Sequence, residues 1–183
     1  LPFIFVYCEP WLLAFKLNII IKKLFGESYY LLPDFWAWHV DPSKEGAGWG
    51  PHRDKGPNSL FQNGEPKSLT IWIPLTDATI DNGCMYVLPA NRDPSYLSGD
   101  INKEKLDMQN IVALPASAGS PLIWNQGILH WGSRSRPRNT PPRMSVAFEV
   151  QIAKVDPFNS PLLEPLGIPN FEDRLKLICK QVL

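Results

Sequence analysis

Apolar positions change their spacing twice along this chain. From Trp11 to Leu24 they recur every three or four residues, with Trp11, Phe15, Ile19 and Leu24 on roughly one side and lysines elsewhere. That period predicts an outer helix over about 10–25, with Gly26 as its stop. From Tyr29 onward the character is β. Phe35-Trp-Ala-Trp-His-Val40 alternates and ends at Asp41-Pro42, a turn signal. Gly46 to Pro51 is glycine-rich and leads into His52. Ser68-Leu-Thr-Ile-Trp-Ile-Pro74 is rich in β-branched and aromatic residues and reads as a strand. Asp81-Asn-Gly83 signals a turn, followed by the apolar run Cys84 to Leu88. Ile101 to Met108 reads as a short helix in a connection. Ser120 to Trp124, Ile128 to His130 and Met144 to Val150 read as three more strands. The period returns to helical from Asn170 to Val182, with Phe171, Leu175, Ile178 and Cys179 clustered.

Short strands with helices at either end predict a mainly β jelly roll or barrel with flanking helices. The 183 residues suit a single domain, 1–183, with its β core over about 29–152 and a C-terminal helix over about 170–182. The 19 prolines agree, because proline interrupts helices and restricts strands to short runs. The 7 tryptophans predict large apolar surfaces with a polar handle, in a core or a pocket.

Charge narrows the function classes. The 18 Lys+Arg balance 18 Asp+Glu, so nothing global favours nucleic acid or an anionic membrane. Residues 1–25 are apolar but carry Glu9, Lys16, Lys22 and Lys23, too interrupted for a membrane span. They also lack a basic leader and a small-residue cleavage site, so no signal peptide is expected. Cys8, Cys84 and Cys179 show no C-x-x-C spacing and make neither a disulfide framework nor a zinc site. The expected setting is a reducing compartment, the cytoplasm, with a small molecule as partner; the oligomeric state is not readable.

The chemistry concentrates in few residues. The chain has three histidines, and His52 stands with Asp54 in Gly50-Pro-His-Arg-Asp-Lys-Gly56. On an extended segment residues two apart point to the same side, so both side chains can face one metal ion. His130 lies far downstream, at the end of Gly127-Ile-Leu-His130. Two imidazoles and one carboxylate occupy one face of an octahedron and leave three positions open, as Fe(II) needs for O2 and a chelating co-substrate. Zinc hydrolase chemistry fits less well, since no H-E-x-x-H is present. A cupin-type isomerase or hydrolase would carry more histidines than this chain has.

Arg143 opens the strand Arg143-Met-Ser-Val-Ala-Phe148 and shares a face with Ser145. A guanidinium fork plus a hydroxyl suits a carboxylate. Arg134, Arg136 and Arg138 compete for that role, but Arg143 is preferred because a strand follows it directly. Trp38, His39, Trp49 and Trp124 are candidates for a substrate pocket, with Trp36 and Trp131 as further wall candidates. Core packing is the competing fate of the tryptophans, and a structural role that of His39.

Four blocks resemble the phytanoyl-CoA dioxygenase-type Fe(II)/2-oxoglutarate oxygenases. They are Pro51-His-Arg-Asp54; Ser68 to Ala78 with Asn82 to Pro89; Ile123 to Gly132; and Arg143 to Phe148. The resemblance implies a double-stranded β-helix, or jelly roll. It implies that His52, Asp54 and His130 hold iron and that Arg143, assisted by Ser145, pairs with the distal carboxylate of 2-oxoglutarate. Trp72 matches a position near the co-substrate, and Asn82-Gly83 a structural turn. The implied activity is a dioxygenase that hydroxylates a small-molecule or carrier-linked substrate and releases succinate and CO2. Related halogenases lack the carboxylate ligand, so Asp54 points to hydroxylation or another oxidation rather than halogenation. The run Leu88-Pro-Ala-Asn-Arg92 departs from the Ser/His ending common in the family. The reading from a different class is a non-catalytic, cupin-like jelly roll that binds a metal or ligand.

Overall fold

The expected N-terminal helix forms as two. A computed structural model describes residues 2–26, 28–43, 48–101, 106–132 and 141–183. In it α1 (Glu9–Lys16) and α2 (Asn18–Phe25) meet at Leu17, whose N–H donates to Ala14 O at 3.1 Å in a tightened turn. Pro10 sits in the first turn, where its missing N–H is harmless, and Gly26 ends α2 at φ 66° with its N–H on Lys22 O. The buried face is Trp11, Ala14, Leu17 and Ile21, whereas Phe15, Ile19 and Leu24 are exposed. Each four-residue step overshoots a turn by about 40°, so a run of such steps walks off the core face; three-residue steps bring it back.

The described chain divides into two units, Leu1–Ala37 with Val146–Leu183, and Trp38–Ser145. In the first, β1 (Tyr29–Val40) lies beside β8 (Arg143–Ile152). Its core is a ring cluster in which Phe35 lies 4.4 Å from Phe5 and 5.4 Å from Trp11, with Phe148 5.5 Å from Phe5. The C-terminal helix α3 (Phe171–Val182) starts at Asn170, whose side chain accepts the Asp173 N–H at 2.9 Å. It buries Arg174, Leu177 and Ile178, not Phe171, Leu175 and Cys179, which are exposed. The Arg174 guanidinium donates to Val6 O and Pro169 O, so a charged residue occupies the inner face because backbone carbonyls meet it there.

The second unit holds β2 (Trp49–His52), β3 (Ser68–Pro74), β4 (Met85–Leu88), β5 (Val112–Leu114), β6 (Leu122–Asn125) and β7 (Leu129–Gly132). Four of these form an antiparallel sheet in the order β2-β7-β4-β5. β3 pairs antiparallel with β6, and the end of β3 meets the start of β8 through Leu75 N–H on Met144 O at 2.8 Å. β5 was not foreseen: three half-buried or exposed residues carry too little pattern. The expected 101–108 helix overlaps residues outside the described ones, and beside them Met108–Asn110 makes a single 3-10 turn. The turn before β4 forms at Asn82-Gly83: Asn82 accepts the Thr79 N–H, and Gly83 takes φ 89°, which a side chain would resist.

Candidate metal centre

β2 and β7 set the centre of the site. In their antiparallel register His52 and His130 are direct partners, and their ring centroids lie 4.4 Å apart. Asp54 follows β2 by two residues and turns its Oδ1 between them, 3.6 Å from His52 Nε2 and 3.4 Å from His130 Nε2. All three ligand atoms lie within 4.8 Å of one another. This convergence is what the H-x-D spacing and the strand-borne His130 predict.

The outward atoms of the triad are also held. His52 Nδ1 faces Gly50 O at 3.0 Å and His130 Nδ1 faces Ile128 O at 3.2 Å. A carbonyl only accepts, so each Nδ1 carries a proton, and in the neutral ring Nε2 is the atom left with a lone pair. His130 is buried, and that burial pushes its pKa below the ordinary value; Asp54 pulls the other way and His52 adds to the lowering. A neutral imidazole is the form that ligates a metal. Asp54 Oδ2 accepts from Thr70 Oγ1 at 2.6 Å and from Trp124 Nε1 at 3.3 Å. The carboxylate thus has one oxygen bound to the protein and one free among the imidazoles.

Arg143 is the second feature. It is 0 % exposed, and its Nη1 donates to Ser145 Oγ at 2.7 Å, as a shared strand face predicts. Its Nε and Nη2 are buried with no hydrogen-bond partner. The guanidinium lies 5.4 Å from the Trp49 ring and 5.3 Å from the Trp72 ring. Burial lowers its pKa to about 10, so it remains a cation at neutral pH. Trp72 Nε1 is a further buried donor without a partner. Three unused donors around one buried charge form a receptor for an anion. Arg134, Arg136 and Arg138 lie outside the described residues.

The aromatic candidates separate. Trp124 reaches Asp54 and its ring lies 4.8 Å from His130, so it packs around the triad. Trp49 stacks on Trp38 at 5.4 Å and lies across Gly132, where a Cβ would meet its ring at 3.0 Å. His39 is not brought in: strand alternation turns it opposite to Trp38, and it is exposed. Trp131 alternates away from His130 and stacks on Tyr86, and Trp36 is exposed.

The fold has known relatives. The model of the phytanoyl-CoA dioxygenase (PhyH) family matches residues 3–140. The chain belongs to the phytanoyl-CoA dioxygenase family. No curated protein sequence matches it. Among solved structures, SnoN, a non-haem alpha-ketoglutarate-dependent epimerase from nogalamycin biosynthesis, is 22% identical with a TM-score of 0.57. That match covers 77% of this chain and 57% of SnoN. ThoJ, a non-haem monooxygenase, is 18% identical with a TM-score of 0.60, over 88% of this chain and 71% of ThoJ. EctD from S. alaskensis with bound Fe is 19% identical with a TM-score of 0.57, over 81% of this chain and 56% of EctD. SnoN is also known in complex with Fe3+, alpha-ketoglutarate and nogalamycin RO. These likenesses establish the mainly β, double-stranded β-helix fold expected from the sequence. The chain spans little more than half the length of SnoN and EctD.

This member of the phytanoyl-CoA dioxygenase family carries site residues that sequence reasoning missed. Thr70 holds Asp54, and Gln126 and Ser68 stand behind Thr70. The signal was present in β3: Ser68, Thr70 and Trp72 alternate with Leu69, Ile71 and Ile73, so two hydroxyls share the face of a tryptophan. Buried hydroxyls on one face of an all-buried strand require partners. Arg53, the central residue of H-x-D, points away and pairs with Asp93 at 2.8 Å, both side chains 2% exposed. It also donates to Gly127 O at 2.7 Å and so ties the ligand loop to the segment before β7.

Proposed function

We propose that the chain is a non-haem Fe(II) oxygenase that uses 2-oxoglutarate and O2, and that it hydroxylates a small-molecule or carrier-linked substrate with release of succinate and CO2. The observation that carries this reading is the convergence of the triad: Asp54 Oδ1 lies 3.6 Å from His52 Nε2 and 3.4 Å from His130 Nε2, and the three ligand atoms are mutually within 4.8 Å. Two nitrogens and one carboxylate oxygen suit Fe(II). The buried Arg143, with two unpartnered nitrogen donors, suits the far carboxylate of a dicarboxylic co-substrate. Both units are read as parts of one oxygenase domain, since β1 and β8 each run uninterrupted from one into the other.

Each residue then has a defined task. His52 and His130 present Nε2 because Gly50 O and Ile128 O hold their Nδ1 protons. Asp54 supplies the single anionic ligand, and its presence fills the position that a halogenase leaves for chloride. Arg143 orients the co-substrate, Ser145 aims the guanidinium, and Trp72 Nε1–H offers an additional donor. The Trp49 and Trp72 rings on the guanidinium keep water from that charge. Fe(II) with 2-oxoglutarate supplies O2 activation when bound; the chain supplies orientation and a dry surround.

The test is anaerobic titration with Fe(II), then 2-oxoglutarate and O2, with succinate measured. One Fe(II) per chain and succinate formation are expected. Stoichiometric metal binding with no succinate under any substrate would overturn the oxygenase reading in favour of a binding protein.

A further inference from the structure

Asp54 does not stand alone behind the centre. Its Oδ2 accepts the Thr70 hydroxyl proton at 2.6 Å. Thr70 Oγ1 in turn accepts from Gln126 Nε2 at 3.1 Å, and Gln126 Oε1 accepts from Ser68 Oγ. Ser68 and Gln126 are fully buried and Thr70 nearly so. The order of donors is forced. The carboxylate oxygen of Asp54 only accepts, so Thr70 gives it the hydroxyl proton and must itself accept from the NH2 end of Gln126, which leaves the amide oxygen to Ser68. Gln126 also acts on the main chain behind the ligand: its backbone oxygen accepts from Lys55 N at 3.2 Å and Gly56 N at 3.1 Å, the two residues after Asp54. One residue therefore fixes both the carboxylate, through Thr70, and the loop that carries it.

We infer that Thr70 and Gln126 are positioning residues that lock Asp54 into single-oxygen ligation. The relay Ser68→Gln126→Thr70→Asp54 engages Oδ2, so only Oδ1 is left for the metal. Without it Oδ2 keeps only the longer bond from Trp124 Nε1 at 3.3 Å, the carboxylate turns more easily about its terminal bond, and a second oxygen on the metal would take one of the three positions that a chelating co-substrate and O2 require. Loss of the outer hydrogen bond also lowers the order of the ligand, and such losses weaken metal sites by about 10- to 100-fold. This inference rests on the proposed metal site, but not on the reaction it performs.

The experiment compares metal affinity across isosteric variants of the folded chain, by anaerobic titration with Fe(II) and separately with Mn(II). Thr70→Val keeps the shape and removes the donor; an affinity loss of about 10-fold or more is expected. Thr70→Ser keeps the hydroxyl and should regain most of it. Gln126→Glu is isosteric but places an acceptor against Thr70, drawing the hydroxyl proton away from Asp54, so it should fall with Thr70→Val. A second readout is the ratio of 2-oxoglutarate affinity to metal affinity, since a carboxylate turned onto the metal competes with the chelating end of the co-substrate. That ratio should drop in Thr70→Val and in Gln126→Glu. Equal metal affinity in Thr70→Val and wild type overturns the inference, as does a Thr70→Ser variant as impaired as Thr70→Val, which would assign the role to the methyl group. Wild type that binds metal but forms no succinate overturns the oxygenase reading and leaves the affinity ratios as the judge of the relay. Wild type that binds no divalent metal overturns both.

Discussion

Replacing Arg143 with Met separates an arginine that waits for an anion from one that holds the fold together. In the free protein this cation is fully buried, with Nε and Nη2 unpartnered. Burial lowers its pKa to about 10. At about 1.4 kcal/mol per tenfold change in proton affinity, the folded state carries on the order of 3 kcal/mol against the charged form. The sign follows from linkage. A cation whose folded pKa is depressed destabilises the fold fully at pH 7 and ceases to do so only as pH rises through about 10 and beyond. Met removes that penalty. It also loses the bond to Ser145, about 1 kcal/mol, and the contacts with two indole rings, about 1–2 kcal/mol. These terms nearly cancel, so the free variant should unfold within about 2 kcal/mol of wild type. Co-substrate binding should behave very differently. Two charge-assisted hydrogen bonds at roughly 1.5–3 kcal/mol each correspond to about 10²- to 10⁴-fold in affinity. Thermal unfolding with Mn(II), anaerobically, with and without 2-oxoglutarate, reads both quantities. At a hundred times its Kd the ligand should stabilise wild type by about 2.7 kcal/mol, a rise of roughly 5–10 °C in Tm for a chain of this size. The Met variant should show almost no rise, and Arg143→Lys only part of it, because a point charge cannot reproduce the fork. A Met variant that keeps the ligand-induced rise, or one whose free form loses more than about 4 kcal/mol, refutes the reasoning.

Asp54→Ala should end succinate formation while the two histidines retain weak iron binding; succinate at the wild-type rate would remove Asp54 from the site. Alanine at Arg134, Arg136 or Arg138 should leave the apparent KM for 2-oxoglutarate within about threefold of wild type, a change of under about 1 kcal/mol. A large rise for Arg138→Ala with none for Arg143→Ala would move the co-substrate clamp to Arg138. Arg53→Met should destabilise the protein by about 3–5 kcal/mol in urea unfolding, because Asp93 is left buried and uncompensated. Adding Asp93→Asn should recover much of that loss, and a double variant no more stable than the single would show that the pair is not coupled.

Several features were legible because they depend only on local geometry. Residues two apart on an extended chain share a face, so His52 with Asp54, and Arg143 with Ser145, could be paired from the sequence alone. Residue type then determined the donor set of the centre. The turn at Asn82-Gly83 and the stop at Gly26 followed from backbone preferences that glycine alone relieves. Strand and helix periods located most elements to within a few residues.

Other features were decided by contacts between distant parts of the chain. A helical period says that one face is apolar, but Phe15 and Leu175, which the spacing groups with Trp11 and Ile178, are exposed, because the break at Leu17 and the neighbours of α3 select the buried face. The meeting of His52 with His130 depends on the register of β2 against β7. With β2 slipped by one residue against β7, the same sequence would turn His52 to the opposite face from His130. The burial of Arg143 beneath Trp49 and Trp72, and the relay that joins Thr70 to Gln126, likewise exist only once remote strands have paired. Local sequence determined which side chains could act together, since the spacing along a strand is set by covalent geometry. Tertiary structure decided which of them meet and which lose their water, since both depend on neighbours far away in the chain.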